Sequence, residues 1–339
     1  MNPPLRLLLG GDVMLGRLVT RVLAEEGAAY PFAAISALIA RAQLFLVNLE
    51  CALSARRQRY AGPAKAFYFR AEPDAVRVLE LAGVDLVSLA NNHVMDAGSE
   101  GLVDTLTILE QHGVAVAGAG ADLASAAAVR RLEGDGQQVG VLAVCDHQAD
   151  FAATPQRAGI HYLDLQDRTV RNGLVERVRT EAAQVDHLVV SLHWLPNWVP
   201  SIPEAYRELA AELLDAGARV LWGHSPHHIL GTEWRAGGVA IYSTGDLVDD
   251  YTLDEVFRND RQLLYLLDLG AGRVERVCAY PIQLRIGCTT PPDADARIWI
   301  AHRLRDACRP LGSEVIMLLD EGFEIQPTSA APTGDVAGG

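Results

Sequence analysis

The chain contains 339 residues, of which 50% are apolar and 21% are charged, and its formal net charge at pH 7 is -14. This composition is typical of a globular protein with a sizeable core, so it excludes a largely disordered chain. The excess of acidic residues argues against a nucleic-acid partner, because a general polyanion-binding protein needs an excess of Lys and Arg.

Cysteine usage and hydropathy argue against several further classes of protein. The five cysteines are widely spaced, odd in number and form no C-x-x-C pair, which disfavours a disulfide framework or a thiolate metal site. The first residues, Met1 to Pro4, lead directly into an apolar run, and no stretch approaches the roughly 20 apolar residues of a membrane helix. The sequence therefore predicts no membrane segment and, by default, a cytoplasmic location.

Six apolar runs along the chain are typical of buried β-strands. They span residues 5–9, 44–47, 86–89, 139–144, 188–190 and 220–222. Between them lie patterns typical of helices, which we predict over residues 73–83, 99–113 and 202–217. Strands that alternate with helices in this way predict βαβ units, a parallel or mixed sheet and a layered α/β fold.

A short polar cluster follows each of these apolar runs. In chain order the clusters are Gly11-Asp12, Asn48-Leu49-Glu50, Asn91-Asn92-His93, Asp146-His147, His193-Trp194 and Gly223-His224-Ser225-Pro226-His227. The carboxyl ends of parallel strands meet at one edge of a sheet, where a ligand site is expected. Carboxylates, amides and imidazoles at one edge suit a divalent transition metal better than a serine or cysteine nucleophile.

Two of the clusters are the most specific. Three imidazoles within five residues, at His224, His227 and His228, are the strongest indication of a metal site, and the intervening proline restricts the local backbone. Asn92 and His93 place an amide ligand beside a titratable ring, although neighbouring asparagines are also typical of a turn.

The other clusters have competing interpretations. Asp12 is as well suited to capping a helix as to binding a metal, and Glu50 taken alone is typical of a solvated acid. His193 suits a satisfied interior histidine equally well. For Asp146 and His147, spacing does not distinguish ligands from loop residues.

The chain is predicted to form one domain, residues 1–326. No low-complexity linker interrupts residues 5–320, and the polar clusters come from both halves. Residues 327–339 are rich in Ala, Pro, Thr and Gly and are predicted to be a disordered tail. The late acids Asp246, Asp249 and Asp250 either join the site or decorate a turn, and the turn is favoured.

A basic segment follows the second polar cluster. It contains Arg56, Arg57, Arg59, Lys65 and Arg70. A solvated loop is the favoured interpretation, and the alternative is a mobile flap that brings positive charge to an anionic substrate.

Taken together, the motifs resemble one known family. They are Gly11-Asp12-Val13-Met14-Leu15-Gly16-Arg17, Asn48-Leu49-Glu50, Ala90-Asn91-Asn92-His93 with Asp96 and Gly98, His193-Trp194, and Gly223-His224-Ser225-Pro226-His227. In this order they resemble the CapA (poly-γ-glutamate capsule synthesis) family over residues 5–285. That family is similar to the calcineurin-like metallophosphoesterases, so the resemblance implies a four-layer α/β/β/α sandwich with a metal site at the strand ends.

The resemblance also implies roles for individual residues. It implies metal ligands at Asp12, Glu50, Asn92, His193, His224 and His227, and catalytic roles for His93, as the acid–base residue, and for Asn92 and Asp96. Metallophosphoesterases usually carry Asp-x-His at the first motif, where this chain has Met14. One metal position thereby loses an imidazole, which leaves one tightly bound ion and a second that is weak or absent. Mixed N/O ligation admits manganese, iron or zinc.

Three functions are compatible with these motifs. The first is a metal-dependent hydrolase of a phosphoester or, less favoured, of an amide in a glutamyl polymer. The second is a non-catalytic metal-binding accessory protein of polymer synthesis, and the third is a metal-dependent peptide epimerase of a natural-product pathway. The implied partner is an anionic small molecule, a peptide or a glutamyl polymer.

Overall fold

The computed structural model describes residues 4–328, in which the chain folds into 20 strands and eight α-helices. The strands are β1 (Leu5–Val13), β2 (Leu44–Leu49), β3 (Ala52–Leu53), β4 (Arg70–Ala71), β5 (Leu86–Ser88), β6 (Ala115–Ala117), β7 (Ala119–Gly120), β8 (Arg130–Gly134), β9 (Gln137–Cys145), β10 (Gly159–Ile160), β11 (His187–His193), β12 (Val220–His224), β13 (Thr232–Arg235), β14 (Gly238–Ile241), β15 (Asp246–Val248), β16 (Arg261–Gly270), β17 (Arg273–Arg285), β18 (Cys288–Thr290), β19 (Ser313–Met317) and β20 (Phe323–Pro327). The helices are α1 (Arg17–Glu26), α2 (Ser36–Ile39), α3 (Val76–Ala82), α4 (Gly98–Gln111), α5 (Leu123–Ala126), α6 (Arg168–Ala182), α7 (Glu204–Asp215) and α8 (Ala294–Cys308). The predicted disordered tail begins two residues too early, because Pro327 pairs with Ser313 as the last residue of β20 and Thr328 donates to the carbonyl of Gly312. The remainder of that tail, residues 329–339, lies outside the described residues.

Two mixed sheets form the framework. The first has the order β19-β20-β17-β16-β1-β2-β5-β6, with β15 beside β1 and β18 beside β17. Its strands β1, β2, β5 and β6 run parallel, whereas β16 lies antiparallel to β1. The second sheet has the order β13-β14-β12-β11-β9-β8, and its four central strands are parallel. Both sheets therefore align the carboxyl ends of their central strands.

The two sheets pack face to face between helices. In β9, Val139 and Val141 belong to the core shared with the first sheet, while Leu142 and Val144 pack on the other side with α6 and α7. Alternate side chains of a strand point to opposite faces, so this strand is buried on both sides from residue 139 to residue 145, where its sequence is continuously apolar. The Trp222 indole N–H donates to the carbonyl of Gly10 across the sheets, at 3.0 Å.

The predicted elements agree with this architecture. All six predicted strands are present, and the predicted helices correspond to α3, with a preceding 3-10 turn at Pro73–Ala75, to α4 and to α7. Gly83 ends α3 with φ 70°, a left-handed conformation that glycine adopts readily. The predicted α/β class and the sandwich of two sheets are thus confirmed.

Across residues 4–328, no single helix has the length and apolar composition needed to cross a membrane. One helical pair, Arg17–Glu26 with Tyr30–Ile39, meets those criteria jointly but is bent by 87°.

Candidate metal centre

The polar clusters meet because they occupy corresponding positions in neighbouring strands. Asp12 of β1 lies opposite Asn48 of β2 on one side and Asp246 of β15 on the other. His193 and His224 are the last residues of β11 and β12 and face each other in register. The aligned carboxyl ends of both sheets therefore bring acids and imidazoles to one edge, as the sequence predicts.

Asp12, His193 and His224 form the first group of potential ligands, with one ligand atom from each within 4.8 Å of the others. Nδ1 of His193 and Nδ1 of His224 are 2.8 Å apart, and His224 Nδ1 is 3.9 Å from Asp12 Oδ1. Nε2 of His193 lies 3.0 Å from the side-chain oxygen of Asn92 and 3.8 Å from Glu50 Oε1. The structure thus brings together all five of these predicted ligands.

Asp12, His227 and Asp246 form the second group, again within 4.8 Å. Nδ1 of His227 is 2.7 Å from Asp246 Oδ1 and 3.3 Å from Asp12 Oδ2. The loop that carries His227 has left-handed backbone at Ser225 (φ 101°) and at His227 itself (φ 62°). Such conformations cost about 1–3 kcal/mol each and persist only where the surroundings impose them. Here they turn His227 towards the acids.

These groups satisfy a test for cation binding. Oδ2 of Asp12 and Oδ2 of Asp246 are buried and have no hydrogen-bond partner among the residues that the structure describes. A buried carboxylate oxygen without a partner is costly, and a bound cation removes that cost. Carboxylate and imidazole donors together suit Mn, Fe or Zn. The side chains present here therefore fit a divalent metal.

The two imidazoles of the first group are uncharged. Burial lowers the pKa of His224 to about 4, and burial together with the neighbouring His224 ring lowers the pKa of His193 well below its usual range. Both rings are therefore in their neutral form, with one N–H each, near neutral pH. Unprotonated imidazole is the form that binds a metal.

The second group is rich in charge. Glu50, which lies beside the first group, also has a pKa raised well above its usual range by burial, with a further contribution from the Asp12 carboxylate. Burial also raises the pKa of Asp246 to about 6, against the attraction of His227. Burial alone would lower the pKa of His227, but the adjoining Asp246 carboxylate raises it well above its usual range. His227 and Asp246 thus form a buried ion pair.

The two asparagines of the third cluster have different roles. Oδ1 of Asn91 accepts from the backbone N–H groups of His93 and Val94, at 3.0 and 2.9 Å. Asn91 therefore builds the turn, in the way that the alternative interpretation of this cluster expects. The Asn92 side chain instead points to His193, inside the site.

His93 is held by Asp96. Nδ1 of His93 lies 2.6 Å from Asp96 Oδ2, which also accepts from the backbone N–H of Phe69 at 2.7 Å. The Phe69 ring stacks on the His93 ring with centroids 3.9 Å apart. Burial lowers the pKa of His93 to about 4. His93 is thus a neutral ring whose Nδ1 is engaged and whose Nε2 remains available.

Two predicted histidines lie outside both ligand groups. His147 contacts the Asp146 carboxylate through Nδ1 and the carbonyl of Leu195 through Nε2, the latter at 2.8 Å. His228 contacts the carbonyl of Val199 at 3.0 Å. Asp146 and His147 border the site, since the His147 and His193 ring centroids are 5.7 Å apart.

Asp246 corrects the sequence interpretation of the late acids. The sequence favours a turn for all three, but Asp246 is fully buried at the start of β15 and contacts His227. The turn interpretation is wrong for this residue because β15 pairs with β1 beside Asp12. A signal was present in the sequence, since Gly245-Asp246 follows an apolar run as the other clusters do. Asp249 and Asp250 instead accept backbone N–H groups, from Tyr251 and Leu18.

Met14 occupies the position where the family resemblance expects a histidine. Its side chain is fully buried, and its Sδ accepts the backbone N–H of Gly16 at 3.1 Å. Met14 belongs to neither ligand group. The second group consists of Asp12, His227 and Asp246 and includes no residue of the Val13-Met14 segment.

A cavity of about 340 Å³ opens beside the ligand groups. Its wall includes Arg17, Phe67, Phe69, His93, Trp198 and Tyr251. The Tyr251 hydroxyl donates to Glu50 Oε2 at 3.1 Å, which connects the wall to the acids. A substrate in this cavity would therefore contact aromatic surfaces and reach His93.

Comparison with known proteins places the chain in a family. Residues 6–251 match the family model described as "Bacterial capsule synthesis protein PGA_cap". A "Probable polyglutamine synthesis accessory protein" of Mycobacterium tuberculosis is 28% identical over 95% of this chain and 96% of its own length. The "Capsule biosynthesis protein CapA" of Bacillus anthracis is 26% identical over 74% of this chain and 61% of its own length. The "PGA biosynthesis protein CapA" of Bacillus subtilis is 26% identical over 84% and 73%, respectively. Because the family model matches well over half of its residues, the chain belongs to the PGA_cap family of bacterial capsule synthesis proteins.

Proposed function

We propose that this chain is a metal-dependent hydrolase with a phosphoesterase-like site, formed by a single catalytic domain over residues 1–326. The observation that carries the proposal is the pair of buried ligand groups that share Asp12. Two carboxylate oxygens in these groups, on Asp12 and Asp246, lack a hydrogen-bond partner among residues 4–328. In two-metal hydrolysis a pair of adjacent divalent ions stabilises both the attacking and the leaving oxygen, and a carboxylate shared by two ligand groups suits such a pair.

The two groups would hold ions at adjacent positions. His193, His224 and Asn92 would bind the first ion, and His227 and Asp246 would bind the second. Asp12 belongs to both groups and would contact both ions. Glu50, whose Oε1 lies 3.8 Å from His193 Nε2, adds a carboxylate to the first position.

The chemistry divides between the ions and the protein. A bound divalent ion supplies Lewis-acid activation of water and of the attacked group. His93 moves a proton at Nε2, since its Nδ1 is held by Asp96.

The proposed substrate is anionic and belongs to the synthesis of a glutamyl polymer or capsule. Arg17 lies on the wall of the cavity, 39% exposed, with its side chain 3.3 Å from Asp250. Its guanidinium also lies over the rings of Phe67 and Phe69, 5.7 and 5.6 Å from their centroids. An arginine fixed in this way suits a phosphate or carboxylate group of the substrate. The names of the three relatives support the link to polymer synthesis.

One observation favours a second function. The relative from M. tuberculosis, which aligns with 95% of this chain, is described as an accessory protein. An accessory protein would use the same ligand groups to hold a metal and an anionic chain without turnover. In that case a His93→Gln variant would keep its full function in polymer synthesis, whereas a hydrolase would lose about 10²-fold or more of its turnover.

The first experiment is elemental analysis of the purified protein, paired with hydrolysis of p-nitrophenyl phosphate and bis(p-nitrophenyl) phosphate. We expect bound transition metal and turnover in the parent protein and the loss of both in a His224→Ala, His227→Ala double variant. A His302→Ala variant is the matched control, because His302 is exposed and lies far along the chain in α8. Absence of bound metal from the parent protein after reconstitution would overturn the proposal, and metal without turnover would favour the accessory function.

A further inference from the structure

The chain contains a single lysine, Lys65, among its 29 basic residues. It lies in the segment between β3 and β4, in which residues 54–69 form no helix or strand. Most of this segment is exposed, including Arg56, Arg57 and Arg59, but the Lys65 side chain is only 10% exposed. The solvated-loop interpretation therefore fits the three arginines and not the lysine.

The Lys65 ammonium contacts the turn that carries His93. Its Nζ donates to Asp96 Oδ1 at 2.6 Å and to the backbone carbonyl of Asn92. Nδ1 of His93 is 3.3 Å away, but that atom faces Asp96 Oδ2 at the shorter distance of 2.6 Å. The Phe151 ring lies 5.0 Å from Nζ, at the distance of a cation–π contact. An ammonium is a donor only, and these acceptors account for its position.

These contacts join two parts of the site. Asn92 and Asp96 are the first and last residues of a turn that carries His93 between them, and Lys65 holds both. The same Asp96 carboxylate accepts the backbone N–H of Phe69, whose ring covers His93. One ammonium therefore connects the loop of the cavity wall with the turn that orients the proton carrier.

We propose that Lys65 is a positioning residue, which fixes the loop of residues 54–69 against the turn of residues 92–96. With Lys65 in place, Asp96 accepts the hydrogen on Nδ1 of His93. The ring therefore keeps the Nδ1–H tautomer, whose Nε2 exchanges a proton with the substrate. The effect on turnover rests on the proposed hydrolase function, whereas the effect on the His93 ring does not. A planar guanidinium is larger and spreads its donors in a fixed fork, so arginine does not substitute here.

The test compares Lys65→Gln and Lys65→Arg with Arg57→Gln, which removes a charge from the exposed part of the same loop. We expect both Lys65 variants to keep the parent metal content and to lose about 10- to 100-fold of turnover, the usual effect of removing a group that orients a site residue. Arg57→Gln should match the parent protein in both respects.

A spectroscopic measurement separates positioning from simple destabilisation. In protein with ¹⁵N-labelled histidine, the ring signals of His93, assigned by their loss in His93→Gln, should report a single Nδ1–H tautomer. In Lys65→Gln these signals should shift towards a mixture of tautomers, while those of His193 and His224 stay unchanged. Lys65→Gln with the parent His93 signals and with the turnover of Arg57→Gln would overturn the inference.

Amine chemistry provides a test without turnover. Lys65 is the only side-chain amine, so reductive methylation adds mass only there and at the α-amino group. We expect Lys65 to react more slowly in the folded protein than in guanidinium chloride, relative to the α-amino group. Equal relative rates in both conditions would show a free ammonium and would contradict the inference. If the parent protein hydrolyses no phosphoester, the proposed function fails, and the methylation and histidine signals still decide the role of Lys65.

Discussion

The two ligand groups that meet at Asp12 differ in their construction and in their charge. His193 and His224 end adjacent parallel strands of the second sheet and face each other in register. His227 instead lies in a loop with left-handed backbone, and Asp246 begins a short strand of the first sheet. The first group is therefore set by regular sheet geometry, whereas the second depends on the contact between two sheets and a constrained loop.

The difference in charge has a consequence for metal binding. The imidazoles of the first group are unprotonated because burial lowers the pKa of each, so an ion enters without displacing a proton. In the second group His227 is protonated and paired with the Asp246 carboxylate, which lies 2.7 Å away. An ion must displace that proton, since a protonated imidazole is not a ligand. The second position should therefore bind its ion more weakly and with a steeper pH dependence.

The largest expected effect comes from the residue common to both groups. Asp12→Asn removes the shared charge, and we expect both ions and all turnover above background to be lost. Metal content by elemental analysis and circular dichroism of the folded protein are the two measurements. Asp249→Asn is the control, because Asp249 is a buried acid outside both groups. Retention of one full equivalent of metal by Asp12→Asn would contradict the idea of a shared ligand.

Separate variants of the two groups should divide the metal content. His224→Ala should empty the first position, and Asp246→Asn should empty the second while the first keeps its ion. Calorimetric titration of the metal-free protein with Mn²⁺ or Zn²⁺ measures the number of ions bound and the affinity of each position. If Asp246→Asn binds as much metal as the parent protein, Asp246 is not a ligand of the second position and its role is purely structural.

Much of this centre can be predicted from the sequence, because the end of a strand is marked by the residues immediately around it. Apolar runs such as residues 139–144 are continuous because both faces of β9 are buried, and a polar cluster marks the point where burial changes. Parallel strands then align these points without further information. The predicted ligands Asp12, His193 and His224 meet for this reason.

The parts that sequence reasoning missed depend on contacts between distant segments. Asp246 enters the site through the pairing of β15 with β1, which are far apart in the sequence, and the apolar run before Gly245-Asp246 is a local signal that does not by itself separate a ligand from a turn. Lys65 turns inwards from an exposed loop that has no periodicity. The apolar pattern does not predict helix α6, because only Leu174 and Val178 are buried in it, although Asp167, which caps the helix, is a local signal for its start.

A smaller effect should appear in the stability of the protein after a chelator has removed its metal. Its Asp246 carboxyl has a pKa raised from 3.8 to about 6, mainly by burial. Between these values the folded state holds a proton that the unfolded chain has released, so the free energy of unfolding falls as pH rises from about 4 to about 6. His227 stays protonated in both states over this range, because its folded pKa is raised.

Urea unfolding with a chelator present measures this dependence. The expected change is on the order of 1–3 kcal/mol, since one pKa unit corresponds to about 1.4 kcal/mol. Asp246→Asn should show a shallower dependence across the same range. A parent protein whose free energy of unfolding falls between pH 4 and 6 no more steeply than that of Asp246→Asn would contradict the assignment of this proton to the second group.

The smallest expected effect concerns the support of one imidazole in the first group. Nε2 of His224 lies 2.8 Å from the Ser191 hydroxyl, which itself donates to Ser88 at 3.0 Å. Because that hydroxyl donates elsewhere, it accepts the Nε2 hydrogen and leaves Nδ1 of His224 free to bind an ion. Ser191→Ala should weaken metal binding at the first position by about 10-fold and leave the second unchanged. Ser88→Ala, which removes the partner without touching the imidazole, should have a smaller effect on the same titration, and equal losses at both positions in either variant would mean that the two groups do not bind ions separately.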